Sequence, residues 1–224
     1  MEWQPIFMDN FAKIFDDTAA YLKTKGISAY IFKGTKASQS AIQQFCQENG
    51  LTLPESFLAF YTHYANGFEF NWVKNEDVWG GFSIPNLTQL SEQRLNWERN
   101  VQDFLNDPNS LDRCVDLPFR AEAFKIWHEM KSWVPFWREE DGDHFCVDVR
   151  NGQIIFDQHD WFDGFGSLTK ANGIIAGTNF EEFLNNWSRF CFQPNKSFWW
   201  GEFNKFGVIK WEAEYFNAEF YRPS

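Results

Sequence analysis

Apolar positions recur at helical spacing in Phe7, Phe11, Ile14, Phe15 and Leu22. With Asp9 or Asn10 available as a cap and Gly26 as a stop, they predict an amphipathic helix. Ile27 to Phe32 is a short apolar run that suits a strand. The polar stretch Lys33 to Ser40 then reads as a junction. A second helix is expected from about Ser40 to Asn49, with Ile42 and Phe45 inward and Gly50 at its end. Leu53-Pro54-Glu55 opens a third, with Pro54 expected at the first helical position. Phe57, Phe60, Tyr61 and Tyr64 make its buried stripe, and Gly67 closes it.

The period then changes. Phe68, Phe70 and Trp72 alternate with Glu69 and Asn71, as in a half-buried strand, and Val78 to Ile84 follows as another. Asn86 with Gln89 forms a capping box for a long helix to about Leu105, whose inner stripe is Trp97, Val101, Phe104 and Leu105. Arg120 to Lys131 has weaker helical periodicity. Trp133 to Trp137 is a strand whose Pro135 assigns it to a sheet edge. Phe145, Val147 and Val149 alternate with Cys146 and Asp148. Asn151-Gly152 then predicts a tight primed turn into a returning strand, Ile154 to Gln158. Thr178 with Glu181 reads as a capping box for a helix that carries Phe180, Phe183, Leu184, Trp187 and Cys191 on one face. The aromatic segment beyond Pro194 is too apolar to be a free tail.

Three passages in this order resemble the SUKH superfamily of SMI1/KNR4-type proteins. The first runs from Gly50-Leu51-Thr52-Leu53-Pro54-Glu55-Ser56-Phe57 to Tyr64-Ala65-Asn66-Gly67. The second is Trp133 to Trp137 followed by Asp141-Gly142-Asp143-His144-Phe145-Cys146-Val147-Asp148-Val149. The third is Asn179-Phe180-Glu181-Glu182-Phe183-Leu184. The resemblance implies an α+β fold, a single mixed or antiparallel sheet with helices packed around it. It places the family domain at 38–191, between an N-terminal helical addition at 1–37 and an aromatic C-terminal extension at 192–224. It further implies no enzyme activity and no cofactor. Many bacterial members are immunity proteins that bind and neutralise a cognate toxin domain, nucleases among them, whereas fungal relatives are regulators. Leu53, Pro54, Asn66, Gly67 and Asp148 are structural markers of the family, and no binding residue carries over from it.

Composition adds two facts. Aromatic residues make up 20% of the 224-residue chain, which implies a core built from rings. The 20 Lys and Arg against 31 Asp and Glu give a net charge of −11, which argues against direct nucleic-acid or anionic-membrane partners and suits a basic protein. Widely spaced Cys46, Cys114, Cys146 and Cys191 form no zinc or redox motif, and Met1 to Pro5 shows no signal-peptide pattern, so the expected compartment is the cytoplasm. No apolar run is long enough to span a bilayer. The oligomeric state is not set by any of these features.

Motifs for phosphate loops, dinucleotide binding, zinc proteolysis and serine hydrolysis are absent. Instead, eight acidic residues against two basic ones fall between Trp137 and Asp163. The expected partner-binding set is Glu139, Glu140, Asp141, Asp143, Asp157, Asp160, Trp161 and Asp163, a ring among carboxylates facing a basic toxin surface. Two other readings stay open: a regulatory scaffold with several weaker partners, and a metal-dependent hydrolase using His144, His159 and the nearby aspartates.

Overall fold

In this computed structural model the described residues are 10–107, 120–138, 142–157, 173–194, 208–212 and 218–222. Helix α1 (Asn10–Thr24) buries Phe11, Ile14, Phe15, Thr18 and Leu22 along one stripe, and Gly26 turns the chain at φ 75°. Strand β1 (Tyr30–Lys33) begins three residues later than the apolar run suggested, and all four of its residues are exposed. Helix α2 (Gln39–Asn49) starts at the Ser38 cap, whose hydroxyl accepts from Ala41 N–H, and ends at Gly50 in the left-handed region.

Pro54 is itself the cap of helix α3 (Glu55–Ala59), one position earlier than expected, with extended φ and ψ of −61° and 150°. The helix widens at once into a π turn over Phe60–Tyr64, yet Phe57, Phe60, Tyr61 and Tyr64 are all buried. Strands β2 (Phe68–Asn75) and β3 (Val78–Ile84) pair antiparallel, and β1 adds to β2 on its other side. Helix α4 (Leu87–Asn106) carries the expected capping box, with Asn86 and Gln89 each accepting from the other's backbone N–H.

Helix α5 (Arg120–Met130) precedes the second sheet: β4 (Trp133–Arg138), β5 (His144–Asp148), β6 (Ile154–Asp157) and β7 (Ile174–Gly177), in that spatial order and antiparallel throughout. Helix α6 (Phe180–Ser188) follows. Its cap is Asn179, which accepts from Glu182 N–H, while the Glu182 carboxylate accepts from Thr178 N–H at 2.7 Å. The capping contact therefore sits one residue beyond the Thr178–Glu181 pair.

The α+β class holds, but two antiparallel sheets replace the single one expected. The edges that would have to join have other partners or lack donors. Gly81 N–H on β3 donates to Phe192 C=O at 2.9 Å. Pro135 on β4 has no N–H to give, and the β4–β5 register slips between Pro135 and Trp137. Pro135 does lie on an edge strand, as its chemistry requires.

The sheets meet through rings. Phe180 of α6 lies 5.0 Å from Phe57, 5.5 Å from Phe60 and 5.4 Å from Phe136, all in edge-on geometry. Trp187 does the same for Phe82 and Trp137, at 6.1 and 5.0 Å. Described parts of the C-terminal segment join the same core. Ile209 and Phe220 are buried, Ile209 N–H donates to Ile175 C=O, and Trp211 Nε1–H donates to Ala176 C=O at 2.9 Å. Among the described residues, no helix is long and apolar enough to cross a membrane.

The second sheet is covered on both faces. Phe145, Val147, Ile154 and Phe156 point into the main core. Cys146 and Ile155 point the other way, into a smaller cluster with Trp97 and Val101 of α4, Trp127 and Met130 of α5, and Trp133. This second layer positions the site described next.

Candidate partner-binding groove

Helix α4 lies over β4 because Arg94 anchors it. The Arg94 guanidinium donates to Trp133 C=O at 3.2 Å and to Lys131 C=O at 2.8 Å, and Trp97 Nε1–H donates to Met130 C=O at 2.8 Å. Burial lowers the Arg94 pKa, and the Glu98 carboxylate at 2.5 Å opposes that shift. The helix thus presents Gln93, Asn96 and Asn100 beside the end of the second sheet.

Two hollows open along this helix. One, of about 390 Å³, is lined by Trp97, Asn96, Asn100, His144 and Asp157 among others. The second, of about 680 Å³, reaches Phe32, Glu69 and Glu92. They share Gln93, Asn96 and Arg138, so they adjoin along α4 as a two-part groove, one part reaching the exposed Phe32 of β1 and the other Asp157 of β6. Beside its first end, the outer face of the first sheet carries Tyr30, Phe32, Val73 and Trp79, which are 58, 49, 67 and 37% exposed. The strand pairing sets Val73 directly opposite Trp79.

At its inner end, His144 and Asp157 stand opposite each other on β5 and β6, with Nδ1 3.8 Å from a carboxylate oxygen. Trp97 meets the imidazole at 5.6 Å in edge-on geometry. Asp157 Oδ1 and His144 Nδ1 are buried and make no hydrogen bond among the described residues. Cys146 lies just beneath, and burial pushes its thiol pKa well up, with the Asp157 charge adding to the effect.

The expected acidic set divides. Asp143 and Asp157 are buried, 2 and 3% exposed, rather than displayed on an outer face. Asp148, counted in the same acidic stretch, is also buried and closes the β5–β6 hairpin. Glu139, Glu140, Asp141, Asp160, Trp161 and Asp163 lie outside the described residues, as does His159. The hairpin is not a two-residue primed turn. Asp148 C=O accepts from Gly152 N–H, Asp148 N–H donates to Gln153 C=O, and residues 149–152 form the loop with Gly152 alone at positive φ.

His144 and Asp157, members of the His/Asp group expected around the hairpin, do come together. Among the described residues no group of three His, Cys, Asp or Glu is gathered as a metal site. Sequence reasoning missed the groove wall of α4. Its signal was present, since Gln93, Asn96, Trp97 and Asn100 follow helical spacing and place three carboxamides beside a ring.

No curated protein matches the chain. The sequence model of the SMI1 / KNR4 family (SUKH-1) matches residues 36–186, more than half of the chain, and the protein belongs to that family.

Proposed function

We propose that this protein is a non-catalytic, immunity-type member of its family that binds a cognate toxin domain and neutralises it by occlusion. The observation that carries the reading is the family match over residues 36–186. The surface supports it. A groove bounded by an exposed aromatic at one end and a buried carboxylate at the other is suited to a protein partner. The chain's net charge of −11 favours a basic one and speeds its approach at low salt. Glu139, Glu140, Asp141, Asp160 and Asp163, with Trp161, belong to the proposed binding set because they neighbour Arg138, His144 and Asp157 in sequence.

Co-expression with the toxin domain encoded in the neighbouring reading frame should protect cells, and the purified pair should form a one-to-one complex that weakens as salt rises. Loss of protection against every neighbouring candidate, together with no complex at low salt, would falsify the reading.

A further inference from the structure

The inner end of the groove has a chemistry of its own. Asp157 is a carboxylate with a side chain only 4% exposed, and its Oδ1 accepts no hydrogen bond among the described residues. A buried carboxylate oxygen without a donor is costly, and a donor brought by a ligand would relieve that cost. The neighbouring His144 Nδ1 likewise makes no hydrogen bond among the described residues and stands 3.8 Å from the other Asp157 oxygen. Around them the wall supplies the carboxamides of Gln93, Asn96 and Asn100 and the ring of Trp97. Arg138 also lines the hollow, yet it forms no ion pair with Asp157 among the described residues.

We propose that this cavity receives an arginine side chain of the partner. Asp157 Oδ1 accepts from the guanidinium, and the Trp97 ring forms an apolar wall. A guanidinium carries five N–H donors in a fixed plane and is more weakly hydrated than an ammonium, which matches several acceptors spread around a ring-walled hollow. The cavity volume of about 390 Å³ accommodates such a head group and leaves room for its stem to leave through the groove. A protein partner as the source of the cation fits the adjoining hollow, which shares Gln93, Asn96 and Arg138 with this cavity and reaches the exposed Phe32. The inference rests on the toxin-binding reading and deepens it.

The test uses the full chain and N-acetyl-arginine amide, followed by the imidazole NMR signals of the protein's histidines, with N-acetyl-citrulline amide as the neutral isostere. The arginine amide should shift the His144 resonances saturably, and the citrulline amide should bind about tenfold more weakly or not at all. Asp157→Asn should weaken the arginine amide by about the same factor. Asn100→Arg, at an exposed helical position that leaves the fold intact, should block the cavity with its own guanidinium. No saturable shift at His144, equal binding of citrulline amide, or binding unaltered in Asn100→Arg overturns the proposal. Toxin capture that both variants leave undiminished overturns it too, while the toxin reading stands. Arginine amide binding by a chain that retains no toxin sinks that reading and overturns the partner as the source.

Discussion

Asn66 accepts a hydrogen bond from Leu87 N–H at 2.8 Å through its side-chain oxygen. The first turn of α4 is therefore satisfied by a loop residue that closes the π turn, in addition to its own Asn86 cap. Asn66→Ala removes that acceptor, and Asn86 cannot replace it because its oxygen already serves Gln89 N–H. Urea unfolding should show a loss of about 1 kcal/mol with unchanged slope. Asn66→Asp, which keeps the acceptor, should lose less.

The same loop leaves no room at Gly34. Gly34 N–H donates to Gly67 C=O at 2.8 Å, and a Cβ at Gly34 would overlap Asn66 O and press on Gly67 O at 3.0 Å. Both obstructions are backbone, so no side chain can rotate away. Gly34→Ala should destabilise by about 2 kcal/mol, read as a lower urea midpoint, whereas Gly50→Ala, where a Cβ meets open space at φ 61°, should cost only about 1 kcal/mol for its left-handed backbone.

Asp148 shows why the hairpin holds. Its buried carboxylate accepts from Arg150 N–H at 2.9 Å, and the Arg150 guanidinium adds Nε at 2.9 Å and an Nη at 2.6 Å. The side-chain bond to Asp148 raises the Arg150 pKa further above its ordinary value. Arg150→Ala strips the cation but leaves the backbone donor, and the guanidinium is half exposed, so solvent screening limits the loss. We expect about 1 to 2 kcal/mol, with Arg150→Lys recovering part of it because one bond survives where the fork made several.

What could be read from the sequence was what neighbouring residues decide. The Asn86–Gln89 box, the β2 alternation and the Pro135 edge all depend on contacts within a few positions, and each has its structural counterpart. The misplacements have the same character: Asn179 caps α6 in place of Thr178, and Pro54 caps α3 instead of starting it. What was not legible depended on distant cover. Asp143, Asp148 and Asp157 look like solvated charge in a linear string, yet all three are buried. For Asp157 the burial comes with α4, a helix from far earlier in the chain that brings Trp97 and its amides over the end of β6. The division into two sheets likewise hangs on Phe192 reaching Gly81, a contact no local pattern announces.

Thiol chemistry offers an independent check on these packing assignments. Burial pushes the Cys191 pKa up to about 12, and it raises that of Cys146 as well, whereas Cys46 is only half-buried. A thiol with a raised folded pKa keeps its proton, so the native fold is favoured below the unfolded value near 8.5 and loses that advantage as pH climbs from there toward about 12. Two outcomes follow. In the native protein at mildly alkaline pH, iodoacetamide should modify Cys46 well before Cys146 or Cys191, as read by site-resolved mass spectrometry. Stability measured by urea should then fall steadily as pH rises above about 9. Rapid native modification of Cys191 would contradict its placement beneath Phe220, whose carbonyl accepts from its thiol.

Phe32 separates binding from folding. It sits on the edge strand β1 with 49% of its surface exposed, at the outer end of the groove, so its removal costs the core almost nothing. Phe32→Ser should leave the urea midpoint within about 0.5 kcal/mol of the parent. An aromatic anchor at an interface is worth about 2 kcal/mol when truncated, so toxin affinity should fall about thirtyfold by calorimetric titration. Leu95 is the matched control. It is 52% exposed on α4 but lines a different hollow, with Arg94, Glu98 and Lys131. Leu95→Ser should change neither stability nor affinity. If Phe32→Ser binds as tightly as the parent while Leu95→Ser weakens the complex, the partner docks on the other side of α4, and the groove is not its seat.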